Sequence, residues 1–284
     1  MKKNHLLFTV SILALILSSC NSSPKKKKKT SSGEDESSEI APTSQGSSTP
    51  SGSSGGQVST STDIAAYYAE CEGLTGTELK SKLLAINTPK NPSYGWDRYE
   101  QADESEDDST SILSLYTRHN IKKSNHCGEY AWDKWNREHI WTQTLYPLSK
   151  TDNHNIFACE GQINGYRSDK PFAEGGETVV VFGHTTGCKQ TSSTFEPCDE
   201  AKGEVARSVM YGTVMYSYDM TDEIQSIYLA LKWHLQHPIT SRDVKRNDIV
   251  YKNQGNRNPF VDHPEYACHI WGSTNAQTKA LCSQ

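Results

Sequence analysis

A break in composition near residue 63 constrains this 284-residue chain more than any other feature. Residues 21–62 are dominated by Ser, Thr, Gly, Pro and Lys, with a basic run at 25–29 and acids at Glu34, Asp35 and Glu36. Such a stretch buries too little apolar surface to offset the entropy lost on ordering, so it reads as a tether. Apolar and aromatic residues return at Asp63 and run to Gln284 without another low-complexity break or an internal repeat. Residues 63–284 are therefore expected to form one domain around a single core.

The N-terminus supplies an address. Lys2 and Lys3 precede an apolar run at 6–17, too short to span a bilayer comfortably, which reads as a signal segment. The run ends in Leu17, Ser18, Ser19 and Cys20, which resembles the lipobox of bacterial lipoproteins. That resemblance implies a signal peptide over 1–19, acylation of Cys20, a lipid-anchored tether over 20–62 and a domain held at the bacterial membrane or cell surface. An ordinary secretory signal is the alternative, and either reading takes the chain out of the cytoplasm. The tether would reach roughly 35 Å as a random coil. Its lysine run is either a contact for anionic lipid or a plain solvated spacer.

Eight cysteines in an exported chain favour disulfides. With Cys20 lipidated, seven remain, and Cys188 with Cys198, flanking a polar loop, is the best local pair. Structural zinc is disfavoured, because no C-x-x-C or H-x-x-x-H pair occurs. The chain carries a formal charge of −5. The residues before 63 hold seven lysines and four acids, which leaves the domain near −8. That balance repels a polyanion at long range, so any nucleic-acid face must be local. Asp103, Glu104, Glu106, Asp107 and Asp108 contribute five of the negatives in what reads as a solvated loop.

Two segments carry the chemistry. In the first, WNREHIWTQT at 135–144, the polar Arg137, Glu138 and His139 stand among tryptophans, and Ile140 and Trp141 favour a short strand. Neighbours 138 and 139 point to opposite faces of a regular strand, so both can serve one site only where the strand ends, twists or bulges. In the second, DNHNIFACEGQINGYRSDKP at 152–171, a helix is expected over 161–170 with Glu160 as its cap, placing Asn164 and Arg167 on one face. Strand, strand, helix, with histidine on the first element and asparagine on the last, is the order of a ββα-metal finger. Helical periodicity recurs around 205–218 and 224–234. The fold class expected is α+β, a mostly helical body around this small finger.

Together, WNREHIW, DNHNI, INGYRSDKPF, FEPCDEAKGEVAR and QGNRNPFVDHP resemble, in order and over nearly the whole domain, the endonuclease I family of exported bacterial nucleases in the His-Me finger superfamily. The resemblance implies His139 as general base, Glu138 and Asn164 as metal ligands, and Arg167 as a phosphate-facing arginine. It implies a largely nonspecific endonuclease that leaves 5′-phosphate ends, with DNA as substrate and RNA left open. Departures from the family pattern at Thr142, Thr144, Phe157, Ala158 and Tyr166 bear on substrate fit more than on reaction type.

The chemistry agrees with those roles. Histidine has an ordinary pKa near 6.5, so near neutral pH it can take a proton from water. One carboxylate and one amide oxygen make a hard site suited to Mg²⁺, with Ca²⁺ or Mn²⁺ as substitutes, rather than to zinc. Duller roles exist for each residue: His139 in the core, Glu138 paired with Arg137, Asn164 as a cap. His154 is expected to orient backbone or a group behind the site, and the aromatics of 130–146 to pack. Arg257 reads first as part of a turn, with DNA contact a secondary reading. The enzyme is expected to act as a monomer. The rival function is a non-catalytic surface lipoprotein that binds nucleic acid, and a metalloprotease is excluded by the absence of HExxH.

Overall fold

The computed structural model describes residues 61–127 and 130–284. The expected signal segment, Cys20 and the tether up to residue 60 lie outside the described residues.

Three short helices open the domain, α1 (Ser61–Tyr67), α2 (Gly76–Ile86) and α3 (Trp96–Ala102). The hairpin β1 (Ser111–Leu113) and β2 (Asn120–Lys122) follows. Next come β3 (Trp135–His139), β4 (Ile156–Glu160) and α4 (Gly161–Arg167), then the sheet of β5 (Glu177–Val181), β6 (His184–Gln190) and β7 (Phe195–Glu196). The rest is helical: α5 (Asp199–Tyr216), α6 (Met220–Glu223), α7 (Ile227–Gln236), α8 (Ser241–Gln254), α9 (Pro259–Asp262), α10 (Glu265–Trp271) and α11 (Ala276–Leu281). The named strands pair antiparallel in small sheets, so the architecture is α+β as expected. No helix among the described residues is long and apolar enough to cross a membrane.

Helix α5 is the spine. It is buried from Ala201 to Met215, and its Val205, Val209 and Met210 join Trp141, Phe157, Leu231 and Trp233 in the main core. It starts six residues before the periodicity suggested, with Asp199 and Glu200 in the first turn, where acids suit the helix dipole. Gly212 admits the finger: a Cβ there would lie 2.2 Å from Trp141 Nε1. The indole instead packs against the helix and donates to the Val209 carbonyl at 3.2 Å.

Strands β3 and β4 pair in register, with Trp135 opposite Glu160 and His139 opposite Ile156. Beneath them Tyr99, Ile112, Ile121, Trp135, Ile156 and Ala158 form a second, smaller core. Helix α4 begins where expected, because the Glu160 carboxylate accepts from the backbone N–H groups of Gln162 at 2.8 Å and Ile163 at 3.0 Å. It stops at Arg167 rather than continuing to 170, since Ser168 turns into the left-handed region at φ 55°.

The acidic stretch after α3 is only partly solvated. Asp103 is fully buried, accepts from the Ala158 N–H at 2.7 Å, and pairs with Arg246 at 2.9 Å and Arg242 at 3.2 Å. Cys268 is bonded to Cys282, tying α10 to the end of α11. The expected local pair, Cys188 and Cys198, lies together in the fold but as buried thiols.

Candidate active site

Strand β3 ends at His139, which meets the requirement that 138 and 139 lie where the strand stops. Between β3 and β4 the chain makes a 3-10 turn (Pro147–Ser149) and returns, bringing the Lys150 carbonyl 3.1 Å from His139 Nε2. A carbonyl only accepts, so Nε2 carries the proton and Nδ1 holds the lone pair. Nδ1 makes no hydrogen bond within the described residues. Burial, aided by the nearby cations Arg137, Arg167 and Lys150, lowers the His139 pKa to about 4, although its bond to the Lys150 carbonyl opposes this. The ring is therefore neutral over the ordinary working range.

Asn155 secures that geometry from both sides. Its Oδ1 accepts from the Trp141 N–H at 2.7 Å, and its Nδ2 donates to the Trp141 carbonyl at 3.0 Å and the Ser149 carbonyl at 3.3 Å. One amide thus joins the continuation of β3 to the turn that carries Lys150. The base of the loop is anchored by the buried Asp152 carboxylate, which accepts from Tyr211, Tyr216 and Gln254, each at 2.7 Å. His154 Nε2 faces the Asn256 carbonyl at 3.1 Å, in keeping with its expected backbone role.

Glu138 is 1% exposed, and burial pushes its carboxyl up to about 7 against the opposing pull of Arg167 and Tyr116. The Tyr116 hydroxyl donates to it at 2.7 Å, and Arg167 lies 3.3 Å away. Its ion-pair partner is Arg167 rather than Arg137, whose guanidinium stacks over Tyr94 and Trp96. Asn164 reaches β3 from α4: its Nδ2 donates to Asn136 Oδ1 at 2.6 Å and to the Arg137 carbonyl at 3.2 Å. Its Oδ1 makes no hydrogen bond within the described residues.

The donor chemistry fits a hard divalent cation, since Glu138 and Asn164 offer oxygen only. No cluster of three or more His, Cys, Asp or Glu side chains suited to a metal occurs among the described residues. Most of an ion's shell would therefore come from water and phosphate, as is usual for Mg²⁺.

Arg167 requires a correction. Its side chain has no exposed surface and so no face to offer a phosphate. Its guanidinium donates to the His139 carbonyl at 2.7 Å, the Ile140 carbonyl at 2.7 Å and the Glu223 carboxylate. It works as an internal strut that ties the end of β3 to α4 and α6. Burial pushes the Glu223 carboxyl up to about 8, with Arg167 pulling the other way. Arg257 is likewise internal, paired with Asp248 at 2.8 Å and Asp262 at 2.6 Å. Tyr116, Lys150 and Glu223 had no local motif to mark them. Asn155 lies in DNHNI, and a buried asparagine beside a histidine-bearing strand is the signal that could have found it.

Residues 75–265 match the Endonuclease I family. The chain belongs to that family and is a nuclease, which sets aside the non-cutting alternative. It is 33% identical over 238 residues to an extracellular ribonuclease of Bacillus amyloliquefaciens, covering 75% of this chain and 81% of that one. Its likeness to an extracellular ribonuclease of Bacillus subtilis (strain 168) is 34% over 233 residues, covering 74% and 79%. To an extracellular deoxyribonuclease of Aeromonas hydrophila it is 25% identical over 137 residues, covering 46% and 57%.

Proposed function

We propose that the chain is an extracytoplasmic, Mg²⁺-dependent endonuclease that hydrolyses DNA, and RNA as a second substrate, with little sequence preference. His139 is its general base, and Cys20 carries a lipid anchor. The observation that carries this reading is the neutral, oriented His139 ring, held at Nε2 by the Lys150 carbonyl with Nδ1 left as proton acceptor.

In this reading His139 Nδ1 takes a proton from a water as its oxygen bonds to phosphorus. The bond from phosphorus to the 3′ oxygen breaks and that oxygen takes a proton from solvent water, giving a 5′-phosphate and a 3′-hydroxyl, after which the imidazolium returns its proton to solvent. The imidazolium formed keeps its Nε2–H on the Lys150 carbonyl, which stabilises the added charge. Glu138 and Asn164 would hold the ion, which when bound offsets charge on the phosphate and the departing oxygen. Arg167 fixes the backbone carbonyls of His139 and Ile140, so the base and Asn164 keep one spacing.

RNA hydrolysis is supported by the two Bacillus relatives, which are named ribonucleases, and DNA hydrolysis by the Aeromonas one. The extracellular names of these relatives and the apolar run before Cys20 support export. The test is incubation of purified protein with plasmid and with structured RNA, with and without EDTA. Cleavage of at least one substrate that EDTA abolishes and Mg²⁺ restores is expected. Undiminished cleavage in EDTA would overturn the metal assignment.

A further inference from the structure

Cys188 on β6 and Cys198 just before α5 are in contact. The Cys198 N–H donates to Cys188 Sγ at 3.1 Å. They are 0% and 3% exposed. The segment they bracket is the one joining the β5–β6 hairpin to the helical spine. That hairpin is loosely held: Val180 and Phe182 at its tip are 50% and 44% exposed, and its inward residues are few. A covalent tie at this position would pin a peripheral hairpin to the start of the buried helix α5.

We propose that Cys188 and Cys198 are a dithiol–disulfide couple that closes in the oxidising exterior, locking the β5–β6 hairpin to α5. The structure holds the dithiol member of this couple. Only the source of the oxidising surroundings rests on the extracytoplasmic reading above, and nuclease activity plays no part in the chemistry.

The two cysteines are not equivalent. Cys198 precedes an 18-residue helix whose N-terminus favours negative charge, and the Cys188 thiol and the Arg118 guanidinium lower its pKa. Cys188 has no exposure, and its thiol is pushed upward by the bond to Cys198 and by burial. Cys198 is accordingly the attacking thiolate. It displaces one thiolate from a small-molecule disulfide to form a mixed disulfide. Cys188 then attacks the Cys198 sulfur and expels the second thiolate. The two cysteine protons end on those two leaving groups, so one disulfide is consumed, two thiols are released and the intramolecular bond is formed.

The test uses the full chain equilibrated with oxidised glutathione, unfolded in denaturant with N-ethylmaleimide and no reductant, then cut with trypsin. Cleavage after Lys189 puts the two cysteines on separate peptides. The expected product is the two peptides linked, with reductant separating them. Separate peptides that each carry maleimide overturn the proposal. A second arm compares the fall in melting temperature on reduction in wild type and in the Cys188→Ala/Cys198→Ala protein, which keeps Cys268–Cys282. Closing a loop of this length should change the unfolding constant on the order of 10²-fold. Wild type should therefore lose clearly more than the double variant, and equal losses overturn the proposal. The peptide measurement needs no variant and decides the matter even if the double variant fails to fold.

Discussion

His139 Nε2 stands 3.1 Å from the Lys150 carbonyl, a contact across eleven residues of chain that leaves the ring's lone pair on Nδ1. In the proposed mechanism, replacing His139 with Ala removes the proton acceptor and leaves the proposed oxygen ligands. Cleavage should fall roughly 10²- to 10⁴-fold while Mg²⁺ and substrate binding persist. Because burial holds the ring's pKa near 4, the base is unprotonated above that value, and rate should be lost as pH falls through it. At saturating Mg²⁺ the rising limb of kcat is expected well below pH 6.5. A limb at 6.5 or higher, or a His139→Ala protein as fast as wild type, would count against this role.

Asn155 would act on the proposed base through the backbone, so its loss should look different. Asn155→Ala frees the turn carrying Lys150 from the Trp141 backbone. The expected result is a lower kcat with KM little changed, and a shift of the His139 ring nitrogens in ¹⁵N spectra toward mixed tautomers. Equal losses in kcat and in folded fraction, with an unaltered tautomer, would reduce Asn155 to a fold residue.

Protons and metal should compete for Glu138. Burial raises its carboxyl to about 7, so a sizeable share is protonated at neutral pH in the metal-free protein. Mg²⁺ binding should then release protons, and apparent affinity should weaken as pH falls below 7. Calorimetry in buffers of different ionisation enthalpy measures the release. Glu138→Gln should abolish it, and Asn164→Ala should weaken binding while leaving it in place.

Arg167 lies between two buried carboxylates and two carbonyls, and its removal leaves Glu138 and Glu223 without their cation. Breaking a buried pair of this kind typically costs about 3–5 kcal/mol. Arg167→Met should therefore lower the melting temperature sharply. The salt dependence of DNA binding by the folded Arg167→Met protein should be unchanged. A flatter salt slope with full stability would restore the phosphate-contact reading.

Acid should unfold the protein in two stages. Burial depresses His154 and His234 to about 4, below the ordinary 6.5, so the unfolded chain binds more protons between those values. Stability is therefore lost as pH falls from 6.5 toward 4. Burial opposes the ionisation of Glu204, but Arg118 and Arg242 outweigh it and hold the carboxyl near 2. Its contribution is present above 4.5 and disappears between 4.5 and 2. Thermal melts from pH 8 to pH 3 should show both falls, and Glu204→Gln should flatten the lower one.

Local chemistry alone made part of this protein legible. The short strand at WNREH, the Glu160 cap and the pairing of a histidine strand with an asparagine helix all depend on residues within one or two elements of each other. Glu138, His139 and Asn164 could be singled out because their side chains carry unusual chemistry in an informative order. What the sequence could not reveal was where the buried charges find partners. Arg167 reads as a surface cation until Glu223, 56 residues on, is folded against it. Asp103 reads as part of a solvated loop until Arg242 and Arg246 arrive from α8. A charge enters a core only when its counter-charge and hydrogen bonds are already in place, and those come from distant segments. The tautomer of His139 is decided in the same way, because its partner is a backbone carbonyl, a group every residue possesses, and only the folded turn selects the one at Lys150.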